Sequence, residues 1–158
     1  MCLQVSPRSP IAAVIATLAG VGRIAVAPGT LASLLALPLA WLLIRYTGTS
    51  GIVLAILAAT AIGTWASGTY ARETGTADPS ECVVDELAGQ WLACSLVPLT
   101  LGGFVLAFLL FRLFDIVKPW PISAVERLSG GAGIMADDLL AGLSAGLIVA
   151  VGAALGLV

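Results

Sequence analysis

Long apolar segments alternate with short polar, glycine-rich or proline-rich breaks along most of the chain. The apolar segments are residues 10–22, 31–46, 52–70, 87–101, 104–117 and 139–158. A membrane-spanning helix needs about 20 apolar residues, within a range of about 17–25. Only 52–70 and 139–158 reach that length cleanly, and the others do so if polar residues at their ends are helical. The pattern predicts a compact all-α bundle of membrane helices.

The breaks predict which loops share a side of the membrane. They are TGTSG at 47–51, the polar stretch 71–84, the glycine pair at 102–103, and the Pro/Gly-rich loop 118–137. If successive helices alternate in direction, 71–84 and 118–137 lie on one side, together with all nine acidic residues. That side also carries most of the basic residues, namely Arg23, Arg72, Arg112, Lys118 and Arg127, whereas Arg45 lies on the other. The positive-inside rule then places the charged side in the cytoplasm.

Composition strengthens the membrane interpretation. The 158 residues are 59% hydrophobic and 10% charged, with a mean hydropathy of +1.08, whereas a soluble domain has about 25% charged residues. This favours an integral membrane protein with a single domain over 1–158. The net charge of −2 and the lack of a basic run give no indication of a nucleic-acid partner. Because histidine is absent, imidazole-based triads and histidine metal ligands are excluded.

Acidic residues cluster beside three of the apolar segments. Asp85-Glu86 and Asp137-Asp138 each precede such a segment, and Asp115 lies about one turn from the end of another. Acids at a helix start can simply cap the helix and complement its dipole. However, several carboxylates at one water–lipid boundary repel one another unless a cation holds them, and Mg²⁺ prefers oxygen ligands. The sequence therefore makes these five acids candidate metal ligands.

Basic residues appear at the same boundary in "FRLFDIVKPWPI", residues 111–122. Arg112, Asp115 and Lys118 recur at intervals of three, so that neighbours can touch on a helix. They could form a structural ion-pair ladder that ends in a snorkelling lysine. Alternatively, Arg112 and Lys118 bind phosphate oxygens while Asp115 binds the metal.

A prolyl-glycyl turn begins the segment "APGTLAS", residues 27–33. Thr30 is the expected N-cap, and the free N–H groups of Gly29 and Thr30 could meet an anion. The alternative is an ordinary helix start. Carboxylates for a divalent cation, combined with cations for phosphate, indicate phosphoryl chemistry on a membrane-bound substrate. Without histidine, the general base must be a carboxylate or a metal-activated water.

Four motifs together resemble the phosphatidylglycerophosphatase A family of bacterial membrane phosphatases. They are "APGTLAS", "DPSECVVDELAGQW" (78–91), "FRLFDIVKPWPI" and "GGAGIMADDLLAG" (130–142). The resemblance implies about six helices and Mg²⁺-dependent hydrolysis of phosphatidylglycerophosphate to phosphatidylglycerol and phosphate at the cytoplasmic face of the inner membrane. Ala25 and Ala32 depart from the residues that family members often carry, which affects the first loop only.

The motifs place the family's functional positions on nine residues of this sequence. Asp85, Glu86, Asp115 and Asp138 are the expected catalytic and metal-binding residues, with Asp137 as a further metal ligand. Arg112, Lys118, Thr30 and Gly29 are the expected phosphate-binding residues. One rival is a metal-dependent phospholipid headgroup enzyme such as a CDP-alcohol phosphatidyltransferase, whose full aspartate pattern is absent. Another is a small cation-coupled transporter, which should carry acids in mid-membrane, and none lies there.

Overall fold

The computed structural model describes residues 9–125 and 127–157, and over these residues the fold is all-α. Six α-helices and one short 3₁₀-helix are present in the described ranges, which contain no strand. The α-helices are α1 (Pro10–Ala16), α2 (Pro28–Thr74), α3 (Val84–Ser95), α4 (Leu101–Val117), α5 (Ile122–Val125) and α6 (Gly131–Ala154), and the 3₁₀-helix is Val21–Arg23. The predicted all-α bundle of about six helices is therefore confirmed.

Helix α2 folds back on itself at Gly48. A straight helix would separate Gly29 from Gly63 by about 50 Å, yet these glycines pack against Glu86 and Val84, two residues apart in α3. The backbone of Gly48 makes the turn, with φ 69° and ψ −170°, a conformation that is essentially restricted to glycine. The arms 28–47 and 49–74 are thus antiparallel, as the break predicted at 47–51 requires.

The break predicted at residues 102–103, between the apolar segments 87–101 and 104–117, was misplaced. The chain leaves the helix after Ser95 and re-enters it at Leu101, so that Gly102 and Gly103 lie in the first turn of α4. Thr100 caps this turn, since its side chain accepts a hydrogen bond from the Gly103 N–H group. The cap supplied by Thr100 and the break at Pro98 place the start of α4 before the glycine pair, although glycine is unfavourable within a helix. As a result, α3 has only 12 residues, too few to span a bilayer.

The predicted loop 118–137 also needs correction, because it contains helical structure. It includes α5, and α6 begins at Gly131 rather than at residue 139. Asp137 and Asp138 therefore lie inside α6 and do not cap its start. The early start depends on close packing: a Cβ at Gly131 would lie 1.9 Å from the Thr64 carbonyl oxygen of α2. Gly131 therefore allows close contact between α6 and α2, whereas the glycine-rich composition of this segment had predicted a turn.

The outside of the bundle is apolar. Helices α2 and α6 are long and apolar enough to cross a membrane. Large apolar side chains face outward from both, among them Leu54, Leu57, Leu147, Ile148 and Val151. The interior instead holds many small residues that let helices approach closely. These features indicate a membrane protein, as predicted.

Acidic residues gather at one end of this bundle. Those of α3, α4 and α6 meet near the start of α2, whereas Arg45 is close to the turn at Gly48, at the far end of the α2 hairpin. Glu126, one of the nine acids assigned to this side, lies outside the described residues. The predicted convergence of three acidic clusters at one face is therefore present in the structure.

Candidate active site

A cavity of about 360 Å³ opens among the start of α2, the start of α3, the end of α4 and the first half of α6. Its lining includes all nine residues selected from the sequence: Gly29, Thr30, Asp85, Glu86, Arg112, Asp115, Lys118, Asp137 and Asp138. They come from four helices that are distant in the chain. The structure thus brings together the four motifs that carried the family resemblance.

Close packing of α3 against α6 sets the distance between two of the acidic clusters. A Cβ at Gly89 would lie 2.6 Å from the Asp138 carbonyl oxygen, and a Cβ at Gly142 would lie 2.1 Å from the Gly89 carbonyl oxygen. Only glycine at both positions permits this approach. Gly89 is one turn beyond Glu86 in α3, so the contact holds Asp138 beside the first turn of α3, which carries Asp85 and Glu86.

Three carboxylates form the centre of the cavity. Asp85, Glu86 and Asp138 each offer one oxygen within 4.8 Å of the other two. The Oε2 atom of Glu86 and the Oδ2 atom of Asp138 are buried and have no hydrogen-bond partner in the described part of the chain. Burial, and next the negative charge of Glu86, raises the pKa of Asp85 well above its ordinary value. Burial also raises the pKa of Glu86.

These properties fit a hard divalent cation. Unpartnered buried carboxylate oxygens are costly, and they are also the ligands that Mg²⁺ and Ca²⁺ prefer. A bound cation would reverse the rise in the carboxyl pKa values, because it favours the ionised form. The donor set of oxygens alone, without sulfur or imidazole, suits Mg²⁺ better than zinc. We call Asp85, Glu86 and Asp138 the carboxylate cluster.

Two cationic side chains face the carboxylate cluster, each paired with a different acid. Nη1 of Arg112 lies 2.5 Å from Oδ2 of Asp115 and 4.0 Å from Oε1 of Glu86. Nζ of Lys118 lies 2.6 Å from Oδ2 of Asp137. The contact between Arg112 and Asp115 agrees with the spacing of three in the sequence. Lys118 instead ends α4 with φ 45° and reaches across to α6.

The start of α2 provides backbone donors at the rim of the cavity. The N-cap is Ala27, not Thr30 as predicted, and no side chain caps this end. The helix begins earlier because Pro28 suits the first helical position. Gly29 and Thr30, the next two residues, line the cavity, and N–H groups in a first helical turn have no partner within the helix. The anion-binding role of Gly29 and Thr30 stays a prediction, whereas the capping role predicted for Thr30 was wrong.

Gly29 has a second property that the sequence did not reveal. A Cβ at this position would lie 2.0 Å from Oε1 of Glu86 and 3.3 Å from Nη1 of Arg112. The absence of a side chain therefore lets the carboxylate and the guanidinium group reach the start of α2.

Asp78 and Cys82 also line the cavity, although neither was among the site residues predicted from the sequence. Both lie in the "DPSECVVDELAGQW" motif, and this membership was the available signal. The Cys82 thiol donates a hydrogen bond to Ser67 Oγ at 3.0 Å. Burial raises the pKa of Cys82 to about 12, so the thiol stays protonated near neutral pH. It is therefore a packing residue and not a nucleophile.

Comparison with known proteins identifies the family. The sequence model of the phosphatidylglycerophosphatase A family matches residues 14–153. The chain belongs to this family. A phosphatidylglycerophosphatase A from Escherichia coli is 35% identical over 136 residues, which are 84% of this chain and 78% of that protein. Its counterpart from Haemophilus influenzae is 34% identical over 132 residues, 82% of this chain and 81% of that protein.

One relative carries a different name. A putative phosphatidylinositol-3-phosphatase from Bacteroides thetaiotaomicron is 38% identical over 133 residues, which are 79% of this chain and 82% of that protein. No solved structure gives a significant match. Membership of the phosphatidylglycerophosphatase A family confirms the resemblance found in the four motifs. It also confirms the prediction of an enzyme that hydrolyses phosphoric monoesters.

In this member of the phosphatidylglycerophosphatase A family, the cavity holds acidic side chains and cationic side chains in separate groups. The carboxylate cluster suits a cation, while Arg112, Lys118 and the start of α2 suit the oxygens of a phosphate group. Nε of Arg112 is buried and has no hydrogen-bond partner among the described residues. A buried donor without an acceptor is costly, and an anion bound beside Arg112 would reduce that cost.

Proposed function

We propose that this protein hydrolyses phosphatidylglycerophosphate to phosphatidylglycerol and inorganic phosphate, in an Mg²⁺-dependent step of phospholipid biosynthesis. The observation that supports this most is a single cavity that holds both the carboxylate cluster and two cationic side chains. We further propose that the cavity faces the cytoplasm from the bacterial inner membrane, because most basic residues share its side of the bundle.

The carboxylate cluster would hold the metal. Asp85, Glu86 and Asp138 each offer an oxygen within 4.8 Å of the other two, close enough to share one cation, so they are the first-choice ligands. Asp115 and Asp137 lie next to them but are paired with Arg112 and Lys118, which makes them second choices. When bound, Mg²⁺ supplies positive charge that polarises the phosphate and activates water.

The cationic side chains would bind the terminal phosphate of the lipid. Arg112 presents a fork of donors that matches phosphate oxygens, and Lys118 adds a compact positive charge. Asp115 and Asp137 hold these two side chains in place through the ion pairs described above. The first N–H groups of α2, at Gly29 and Thr30, complete the set of donors around the phosphate. Arg112 and Lys118 therefore stabilise the negative charge that develops on the phosphate as water attacks.

Because the chain has no histidine, we take a carboxylate as the acceptor of the proton of the attacking water, in preference to a metal-bound hydroxide. Asp115 is the first candidate among the acids of the cavity. It lines the same cavity as Asp138 but is not a member of the carboxylate cluster. This position lets it contact a water molecule that approaches the phosphate next to the cluster.

The relative from Bacteroides thetaiotaomicron favours a second candidate substrate, phosphatidylinositol 3-phosphate. The reaction would be the same hydrolysis of a phosphoric monoester on a lipid headgroup. Only the polyol between the lipid and the terminal phosphate differs. The site residues discussed above contact the phosphate and the cation, so they serve either substrate.

The test is phosphate release in detergent micelles from phosphatidylglycerophosphate, phosphatidylinositol 3-phosphate and phosphatidic acid. Each substrate is assayed with Mg²⁺ and with EDTA. We expect Mg²⁺-dependent release that is fastest from phosphatidylglycerophosphate, and a loss of at least about 100-fold in Asp138→Asn. Glu73→Gln is the matched control, because Glu73 accepts a hydrogen bond from the Ser9 N–H group outside the cavity.

Three results would contradict parts of the proposal. Equal release with EDTA would refute the metal requirement. Faster release from phosphatidylinositol 3-phosphate would assign the other headgroup. Full activity in Asp138→Asn would remove the carboxylate cluster from the mechanism.

A further inference from the structure

A second, larger cavity of about 610 Å³ adjoins the active-site cavity. It lies between the end of α2, the loop that follows, and the start of α6. Asp78, Ile134 and Asp137 line both cavities, so a single layer of side chains separates them. A ligand group in the first cavity could therefore extend into the second.

Two arginines line this second cavity. Arg72 ends the second arm of α2, and Arg127 lies just before α6. Nη2 of Arg72 donates a hydrogen bond to Thr69 Oγ1 at 3.0 Å, an exposed contact that uses only one of the five donors of the guanidinium group. Asp78 and Asp137 also line the cavity, and the Asp137 carboxylate pairs with Lys118. The two arginines balance the formal charge of these acids, and their guanidinium groups supply donors for the oxygens of an anion.

Glycines form much of the remaining wall. Gly68, Gly75, Gly130 and Gly133 all line the cavity, so no bulky side chain projects from these positions. The wall therefore leaves room for a group larger than a single ion. Ala71, Leu128 and Ile134 also line the cavity, so the two guanidinium groups are the cationic part of a largely apolar wall.

The two headgroups discussed above share a chemical feature that matches this arrangement. Each carries a terminal phosphate monoester and, on the other side of a polyol, a phosphate diester that joins the polyol to the lipid. Phosphatidic acid carries a monoester alone. If the monoester occupies the active-site cavity, the diester lies one polyol away, and the second cavity adjoins the first.

We infer that the second cavity binds the phosphate diester of the lipid headgroup, and that Arg72 and Arg127 determine specificity for substrates with two phosphates. The inference rests on the proposed function, because it takes the terminal phosphate to lie at the carboxylate cluster. A charged guanidinium group forms stronger hydrogen bonds with phosphate than a neutral donor does. The two arginines should thus select against phosphatidic acid.

The test compares Arg72→Gln and Arg127→Gln with the wild-type protein on phosphatidylglycerophosphate and on phosphatidic acid. We expect kcat/KM for the two-phosphate lipid to fall about 10-fold or more in each variant, mainly through a higher KM. Activity on phosphatidic acid should stay within about twofold. Both arginines are exposed, so folding should tolerate the changes, and Arg72→Lys should recover part of the loss. Arg45→Gln is the matched control, because Arg45 is exposed near the distant turn of α2.

A binding experiment separates this inference from the proposed function. Glycerophosphoglycerol, a soluble diester without a monoester, should bind the wild-type protein and bind Arg72→Gln at least about 10-fold more weakly. That binding result would support the diester site even if the wild-type protein hydrolysed neither lipid. The absence of hydrolysis would refute the proposed function but not the diester site. An equal loss of kcat/KM on both lipids would show that the arginines only attract the protein to the anionic micelle surface, which would overturn the inference. Unchanged binding and selectivity in both variants would also overturn it.

Discussion

The replacement of Gly29 by alanine tests the geometry of the site with the smallest possible change. The added methyl group would lie 2.0 Å from Oε1 of Glu86 and 3.3 Å from Nη1 of Arg112. Ordinary van der Waals contact begins at 3.4 Å, so the carboxylate oxygen must retreat by about 1.4 Å. The nearest atom belongs to the end of a flexible side chain. The site should therefore move while the backbone stays in place.

The expected effects on activity and stability differ. A misplacement of about 1 Å in a catalytic group can cost about 100-fold in rate, so we expect kcat/KM to fall by about that factor or more. Alanine is favoured over glycine within a helix by about 1 kcal/mol, which offsets the strain of moving Glu86. The free energy of unfolding should then change by less than about 1 kcal/mol.

Phosphate release and thermal unfolding in the same detergent measure the two effects. Gly102→Ala is the matched control, because it also lies in the first turn of a helix and its added methyl group meets no atom within 4 Å. The control should keep full activity. Full activity in Gly29→Ala would refute the claim that Glu86 and Arg112 must reach the start of α2, and gross unfolding would refute the claim that the strain is local.

Three further changes test other parts of the structure. Mg²⁺ should raise the unfolding temperature of the wild type but not that of Asp138→Asn; an equal rise in both would contradict the carboxylate cluster as the metal site. Gly142→Ala places a methyl group 2.1 Å from the Gly89 carbonyl oxygen, and overpacking against backbone should lower the unfolding free energy by about 1–3 kcal/mol; an unchanged denaturation midpoint would contradict the close α3–α6 contact. Gly48→Ala should cost about 1–3 kcal/mol in the same assay yet keep activity at low temperature, since the turn is far from the site; lost activity in a folded variant would contradict that separation.

Charge scarcity made the convergence of these side chains on one cavity predictable from the sequence, whereas the helix boundaries were less predictable. Only 10% of the residues are charged, and placing a charge in lipid is costly. Paired acids at the ends of apolar segments therefore indicate a functional site. Hydropathy marks where lipid contact ends, but a helix can continue past that point. This is why α6 begins at Gly131, and why Asp137 and Asp138 proved to be inside a helix.

Tertiary structure decides which acids belong to the carboxylate cluster and which form ion pairs with Arg112 and Lys118. The spacing of Arg112, Asp115 and Lys118 allows contacts along one helix face. The left-handed conformation of Lys118 ends α4 and directs this residue to α6 instead. Likewise, the close approach of Gly29 to Glu86 joins residues 57 positions apart. No local pattern in one sequence contains that information.

The charge of the active-site cavity implies an order of binding. Among the described residues, six acidic and two basic side chains line it, which gives a formal charge of −4 if all are ionised. A phosphate monoester adds a further charge of about −1.5 to −2, so substrate can enter only after cations or protons reduce the repulsion. Two divalent cations would balance the charge, and one would halve it. We therefore expect inorganic phosphate to bind the protein measurably in Mg²⁺ but at least about 10-fold more weakly in EDTA, as measured by calorimetry in detergent. Arg45→Gln should not alter this dependence, whereas equally tight binding in EDTA would show that Arg112 and Lys118 hold phosphate without a metal.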